Sequence, residues 1–342
     1  MTLIENIQRL SVVQRRLVFF LLFGGGLLAI VAVTALLISA SFNGQRPQAV
    51  SLEKGLTVAQ FAALPDKDAY PAAVAVGPDG TVYTGSYATG AVWAIGASGQ
   101  PRELPGTRAG IGAVAGLAVA PDGAILVVDQ ADSDPRTLGG DVKRIGPDGK
   151  IAVFATIPDA RGFLTPDDVE LDSAGRVYVT DRGRDQVWRF DADGKGGVAW
   201  WTPPAEPDGK HGAVTGLAYD AAHDTLIVTD PDLNVLYRVS IADAKGSVLY
   251  RDPADDRTPP GFDGATAAPD GTLYVASLGQ NGIVTLRDGQ LVYVAGEFRG
   301  SSDVAFAKPD KLYVANFDQS SLLLPLIQPR LPFALDVMTL PS

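Results

Sequence analysis

One pattern returns six times along this chain, and it constrains the fold more than any other feature. It reads AAVAVGPDGTVYTGS from Ala72, AGLAVAPDGAILVVD from Ala115, DDVELDSAGRVYVTD from Asp167, TGLAYDAAHDTLIVTD from Thr215, DGATAAPDGTLYVAS from Asp263 and SDVAFAKPDKLYVAN from Ser302. The returns are about 40 to 50 residues apart, a period at which each unit is one supersecondary element that cannot bury its apolar face alone.

Each unit holds an alternating strand, a hairpin turn of the Pro-Asp-Gly kind and a second strand of the Leu-Tyr-Val type. Two more strands follow, as in DQVWRF with GVAWWT in the third unit and NVLYRV with SVLYRD in the fourth. Six four-stranded sheets around one axis predict an all-β chain folded as a six-bladed β-propeller. The last unit offers only DVAFA, KLYVA and SLLLPLI before a Pro-rich end, whereas TVAQFAAL from Thr57 precedes the first unit. The Thr57 stretch is therefore expected to complete the sixth blade, so that the two chain ends close the ring and no sheet edge is left open.

Ahead of the repeats, LVFFLLFGGGLLAIVAVTALLISAS runs from Leu17 to Ser41 without a charge. About 25 such residues cross a bilayer core, whereas the apolar core of a cleaved signal peptide is only about 7 to 15 residues long. An uncleaved transmembrane helix is the expectation. Arg9, Arg15 and Arg16 precede it and only Arg46 and Lys54 follow closely, which puts the N-terminus in the cytoplasm and the propeller outside. The chain thus divides into a cytoplasmic N-terminus (1–16), a span (17–41), a tether (42–56), the propeller (57–330) and a tail (331–342). A net charge of -11 without a cluster of Lys and Arg argues against nucleic acid as a partner. The absence of cysteine excludes disulfides and thiolate metal sites.

The repeats resemble those of the six-bladed propellers of the senescence marker protein (regucalcin) and gluconolactonase family, with strictosidine synthase-like and NHL-type proteins as relatives, over roughly residues 57–330. The resemblance implies a metal-dependent, lactonase-like hydrolase with one divalent cation at the mouth of the central channel. In that family the cation is held by a Glu from the first blade and by Asn or Asp from later inner strands. Matched repeat to repeat, Asp167 and Asp263 stand at two of these positions. Thr215 stands at a third, and Ala72, which cannot bind metal, stands where the Glu would be.

In a propeller the loop entering the innermost strand and the loop leaving the second strand open on the same face. Asp167, Asp168 and Asp181 should therefore meet their counterparts Asp129, Asp230, Asp263, Asp303 and Asn316 around the channel mouth. Such oxygen donors suit Ca²⁺ or another hard divalent cation, with Asp181 joining Asp167, Asp263 and Thr215 as a ligand by position. An Asp at a strand end is equally a turn cap accepting backbone N–H bonds, and both readings stand at each position. Hydrolysis also needs a base for water, for which the candidates are Asp168 or Asp181, with a pKa raised by neighbouring carboxylates, or His211 in the loop before the fourth inner strand. His223 falls in a hairpin turn on the opposite face and is given no role. An enlarged insert, QADSDPRTLGGD from Gln130, lies beside the mouth, where long loops shape binding sites.

The expected function is a membrane-anchored extracytoplasmic propeller that binds a divalent cation at its channel mouth and hydrolyses a lactone or related small ester as its small-molecule substrate. Propellers host many unrelated activities, so the alternative is a non-catalytic binding module or an accessory subunit of a membrane protein assembly.

Overall fold

The computed structural model describes residues 11–42, 48–253, 257–324 and 326–341. Arg9, Arg46 and part of the expected tether lie outside the described residues. A single helix, Val12–Phe42, carries the apolar run. Its segment Val12–Leu37 holds an 18-residue window of mean hydropathy 2.6, none of it buried against the rest of the chain, and is long and apolar enough to cross a membrane. It begins five residues before the expected span.

The described residues after it form six antiparallel sheets, the blades of the expected propeller. Their innermost strands are Pro71–Val76, Ala113–Val119, Pro166–Leu171, Leu217–Asp220, Phe262–Ala267 and Ser301–Ala307. Blades one to four are built from consecutive strands, as the repeat requires. In blades one, two and five the turn joining first to second strand is made by an Asp-Gly pair. At Pro78-Asp79-Gly80 the Asp79 carboxylate accepts the Thr81 N–H at 3.0 Å, and Gly80 supplies φ 82°.

The two ends of the chain close the ring as expected, with one correction. Thr57–Ala63 is the outermost strand of blade six, but its partner is Ala334–Thr339, pairing Thr57 with Thr339 and Ala63 with Ala334. Ala334–Thr339 in turn pairs with Lys311–Asn316, so it is the third strand of the blade and not a tail. The propeller therefore continues to Thr339, past the boundary expected at 330. SLLLPLI is not a strand: Gln319–Leu323 is a short helix in a connection that runs over the channel mouth. A second correction lies in the tether, where Val50–Ser51 adds a fifth strand to blade five by pairing with Gly296 and Ala295.

The core lies between blades rather than at the centre. Trp93, Val74 and Val82 of blade one pack with Tyr313, Leu335 and Phe333 of blade six. Trp188 and Phe190 of blade three pack with Val128 and Val142 of blade two. Aromatic residues of the third strands, Trp93 and Tyr237 among them, are fully buried in these layers. That burial supplies the apolar area the separate sheets lack.

Five of the six innermost strands begin with a register shift: between Pro71 and Ala73, Val114 and Gly116, Pro166 and Val169, Phe262 and Ala265, and Ser301 and Asp303. A bulge leaves a residue out of the ladder and re-aims its side chain. The residues left out here are those that reach the channel.

Candidate functional site

The skipped residues, with Thr215 in blade four, make a floor of one residue per blade: Ala72, Ala115, Asp167, Thr215, Asp263 and Ser302. All six line a cavity of about 1040 Å³ that opens at the mouth. Two of the six are acidic, in blades three and five. Burial pushes Asp167 up to about 6, opposed by the Arg182 guanidinium. Asp263 is held well above the usual carboxylate range, first by burial and then by the charges of Asp167 and Asp303, while a hydrogen bond from Thr215 works the other way. The structure thus brings Asp167, Asp263 and Thr215 together, as the repeat alignment placed them.

The next residue in each blade forms a second ring that joins neighbours. Asp168 accepts the N–H of its own Val169 and, across the blade boundary, the N–H of Leu217, both at 2.8 Å. Asp303 does the same, accepting from Val304 and from Val74 of blade one at 2.8 Å. Glycines occupy equivalent positions in other blades because the adjacent blade comes too close for a side chain. A Cβ on Gly216 would meet the Asp263 carbonyl oxygen at 2.2 Å, and one on Gly264 would meet Asp303 Oδ1 at 2.1 Å. Glu170, deeper in the channel, accepts from Leu171 at 2.7 Å and from the Tyr219 N–H of blade four. Burial raises Glu170 and Asp303 to about 7 and Asp168 well above its ordinary value.

The carboxylates that end second strands turn away from the cavity and hold the loop entering their own blade. Asp181 accepts the N–H groups of Leu164 and Thr165 at 3.0 and 2.9 Å and pairs with Arg184 at 3.1 Å. Asp129 accepts from Gly112 at 2.7 Å, Asp230 from Ala213 at 3.2 Å, and Asn316 from Arg299 at 2.9 Å. In blades one and five a serine takes this place, Ser86 and Ser277 donating to the carbonyls of Asp68 and Pro260. Asp181, expected among the ligands and bases, is fully buried and does not line the cavity. Asp168 lines it, yet both of its oxygens are engaged by backbone. His211 is exposed on the same face as expected, beside the Asp185 carboxylate and not on the cavity wall. His223, on the opposite face, meets Asp220 at 2.7 Å.

The walls hold residues that the sequence did not single out. Arg182 pairs with Asp232 at 3.3 Å, and Arg299 with the buried Asp318 at 2.5 Å. Tyr87 donates to Gln130 at 2.6 Å, and Gln130 to the Pro166 carbonyl at 2.8 Å, a chain that crosses three blades at the mouth. Phe298, Phe317, Leu322 and Ile327 give the side under the blade-six connection an apolar surface. The signal for Arg182 was available, since it directly follows the strand-ending Asp181. That for Arg299 and Ile327 was not, because their places depend on where the connection crosses. The insert after Gln130 reaches the cavity through Pro135.

Among the described residues no three His, Cys, Asp or Glu side chains form a group able to hold a metal ion. The donors at the floor are two carboxylates and the hydroxyls of Thr215 and Ser302.

Residues 54–95 match the family model described as strictosidine synthase-like, N-terminal. No curated protein matches the chain. Among solved structures, a gluconolactonase from Xanthomonas campestris aligns with TM-score 0.60 and 15% identity, over 86% of this chain and 95% of its own. A streptogramin B lyase aligns with TM-score 0.57 and 16% identity, over 83% and 98%. The PQQ-bound form of an aldose sugar dehydrogenase from Streptomyces coelicolor aligns with TM-score 0.58 and 15% identity, over 83% and 98%. At these identities the likeness is one of fold.

Proposed function

We propose that this chain is a membrane-anchored propeller whose channel mouth binds a small polar molecule and hydrolyses a lactone or related small ester. Val12–Phe42 serves as the anchor, the N-terminus is cytoplasmic and the propeller lies outside, as the Arg15-Arg16 flank favours. The observation that carries the reading is the pair Asp167 and Asp263, whose charges oppose each other on the floor of a large cavity. The gluconolactonase among the structural neighbours agrees with it at the level of fold.

This reading includes a hard cation at the floor, with water or substrate completing its ligands. Its donors are all oxygen, only two are charged, and the open cavity leaves the remaining positions to water or substrate, an arrangement suited to Ca²⁺ rather than to a soft metal. Asp167, Asp263 and Thr215 would hold it, and when bound it would polarise an ester carbonyl. With Asp168 and Asp181 engaged by backbone, Asp167 and Asp263 are the floor carboxylates left to take a proton from water, and burial holds both above the ordinary carboxylate value before a cation binds. The side chains of Arg182 and Tyr87 orient the substrate from the rim.

A second reading, a binding module without catalysis or an accessory subunit of a membrane assembly, is favoured by one observation: two of the three expected bases have structural duties. Turnover separates the two. The full chain, given a panel of five- and six-membered lactones and aryl esters, should hydrolyse at least one faster with Ca²⁺ than with a chelator, and Asp167→Asn should abolish the difference. Ligand binding with no turnover under any of these conditions would establish the second reading.

A further inference from the structure

The mouth face bears an apolar patch that nothing in the propeller covers. The connection over blade six exposes Leu323, Leu324, Leu326 and Leu331, and the blade-two insert exposes Leu138, with Leu326 at 72%. The opposite face differs. Its hairpin turns present exposed charge in pairs, Asp122 with Arg144, Asp148 with Lys150, Asp193 with Lys195 and Asp243 with Lys245.

The path of the chain shows which face the helix can bring to a bilayer. Val50 pairs with Gly296, the last residue of the fourth strand of blade five, and that end of the strand leads to Phe298 on the cavity wall. The chain therefore enters the propeller at the mouth edge. From there it descends along blade five to Thr57, which pairs with Thr339 on the opposite face. Only six residue steps separate Phe42, the end of the helix, from Gln48, a reach of about 20 Å at most. Strands of six residues are themselves about 20 Å long. A tether fixed at the mouth edge cannot pass the full height of the propeller and also reach a membrane beyond the opposite face.

We infer that the mouth face is seated on the lipid surface, with Leu323, Leu324, Leu326 and Leu331 entering the headgroup layer beside the cavity opening. This rests on the reading of Val12–Phe42 as a membrane anchor. Side chains of this kind enter about 5–10 Å into the headgroup and acyl boundary.

The chain has no cysteine, so single labels can be placed at will. Leu326→Cys and Leu324→Cys on the mouth, Asp122→Cys on the opposite face and Leu52→Cys on the outer edge of blade five would each carry an environment-sensitive fluorophore. The full chain is reconstituted in phosphatidylcholine vesicles, with and without a lipid that bears a nitroxide on its headgroup. Flotation of the labelled chain with the vesicles tests the anchor, and its failure would remove the anchor and this inference together. In chain that floats, both mouth labels should be quenched several-fold more than the other two. Quenching greatest at Leu52→Cys, or equal at all four positions, would overturn the orientation and leave the anchor standing.

Discussion

The Asp168 carboxylate of blade three accepts the backbone N–H of Leu217 in blade four at 2.8 Å. The same bond recurs three blades further on, from Val74 of blade one to Asp303 of blade six. Each closes a seam between blades by satisfying a backbone donor of the next blade's innermost strand, and an unpaired donor there would be costly.

Removing this latch should act on stability. Asp168→Ala leaves the Leu217 and Val169 N–H groups without a partner and should cost about 2–4 kcal/mol, the scale for losing hydrogen bonds to a buried charged group. Asp168→Asn keeps one acceptor and should cost less. Denaturant unfolding of both variants tests the ranking. Lost turnover with unchanged stability would instead make Asp168 a catalytic residue.

Ring closure depends on the last strand. Ala334–Thr339 lies between Lys311–Asn316 and Thr57–Ala63, so truncation after Arg330 removes the middle of blade six and frees two strand edges. The truncated chain should show no cooperative thermal transition by circular dichroism. A cooperative melt close to that of the full chain would mean that the ring closes without this strand.

Stability should fall as pH rises. Folding raises Glu170 and Asp303 from ordinary carboxylate values to about 7, so between roughly pH 4 and 7 the native state binds more protons than the unfolded state. Their contribution is complete below the unfolded pKa and is lost as pH passes through the folded one. Melting temperature measured without divalent cations should be higher at pH 5 than at pH 8, and Asp303→Asn should flatten the slope. A midpoint that rises across this range would contradict the burial of these carboxylates.

The anchor reading fixes a topology. Protease added to intact cells should digest the domain after Phe42 and spare a tag at residue 1. Digestion of the tag with protection of the domain would reverse it.

Much of the fold was legible because it is periodic. Three Pro-Asp-Gly turns and three variants of them at regular spacing fix the hairpins, and the alternation in AAVAV or YVTD fixes which residues face the neighbouring blade. The closing role of Thr57 followed from an incomplete last unit. ALDVMT was missed as its partner because Asp336 and Met338 break the pattern of the other third strands and a Pro-bearing stretch precedes it. Buried Asp336 is in fact matched by the Asn316 amide at 3.0 Å, a pairing no local pattern encodes. The site was half legible for a related reason. Asp167 and Asp168 are neighbours of one type, and only the bulge and the approach of blade four decide that one faces the cavity while the other is spent on backbone.

Asp167 and Asp263 act as one site in the proposed function. If they share a cation, it stabilises the native state by RT ln(1 + [L]/Kd), about 2.7 kcal/mol at a hundredfold excess over Kd. The measurement is the melting temperature of the full chain in detergent micelles across a Ca²⁺ titration, for the parent and for Asp167→Asn combined with Asp263→Asn. The midpoint should rise with Ca²⁺ in the parent and not in the double variant, which without metal should be at least as stable because two opposed charges are gone. No response in the parent, or the same response in both, would contradict the claim.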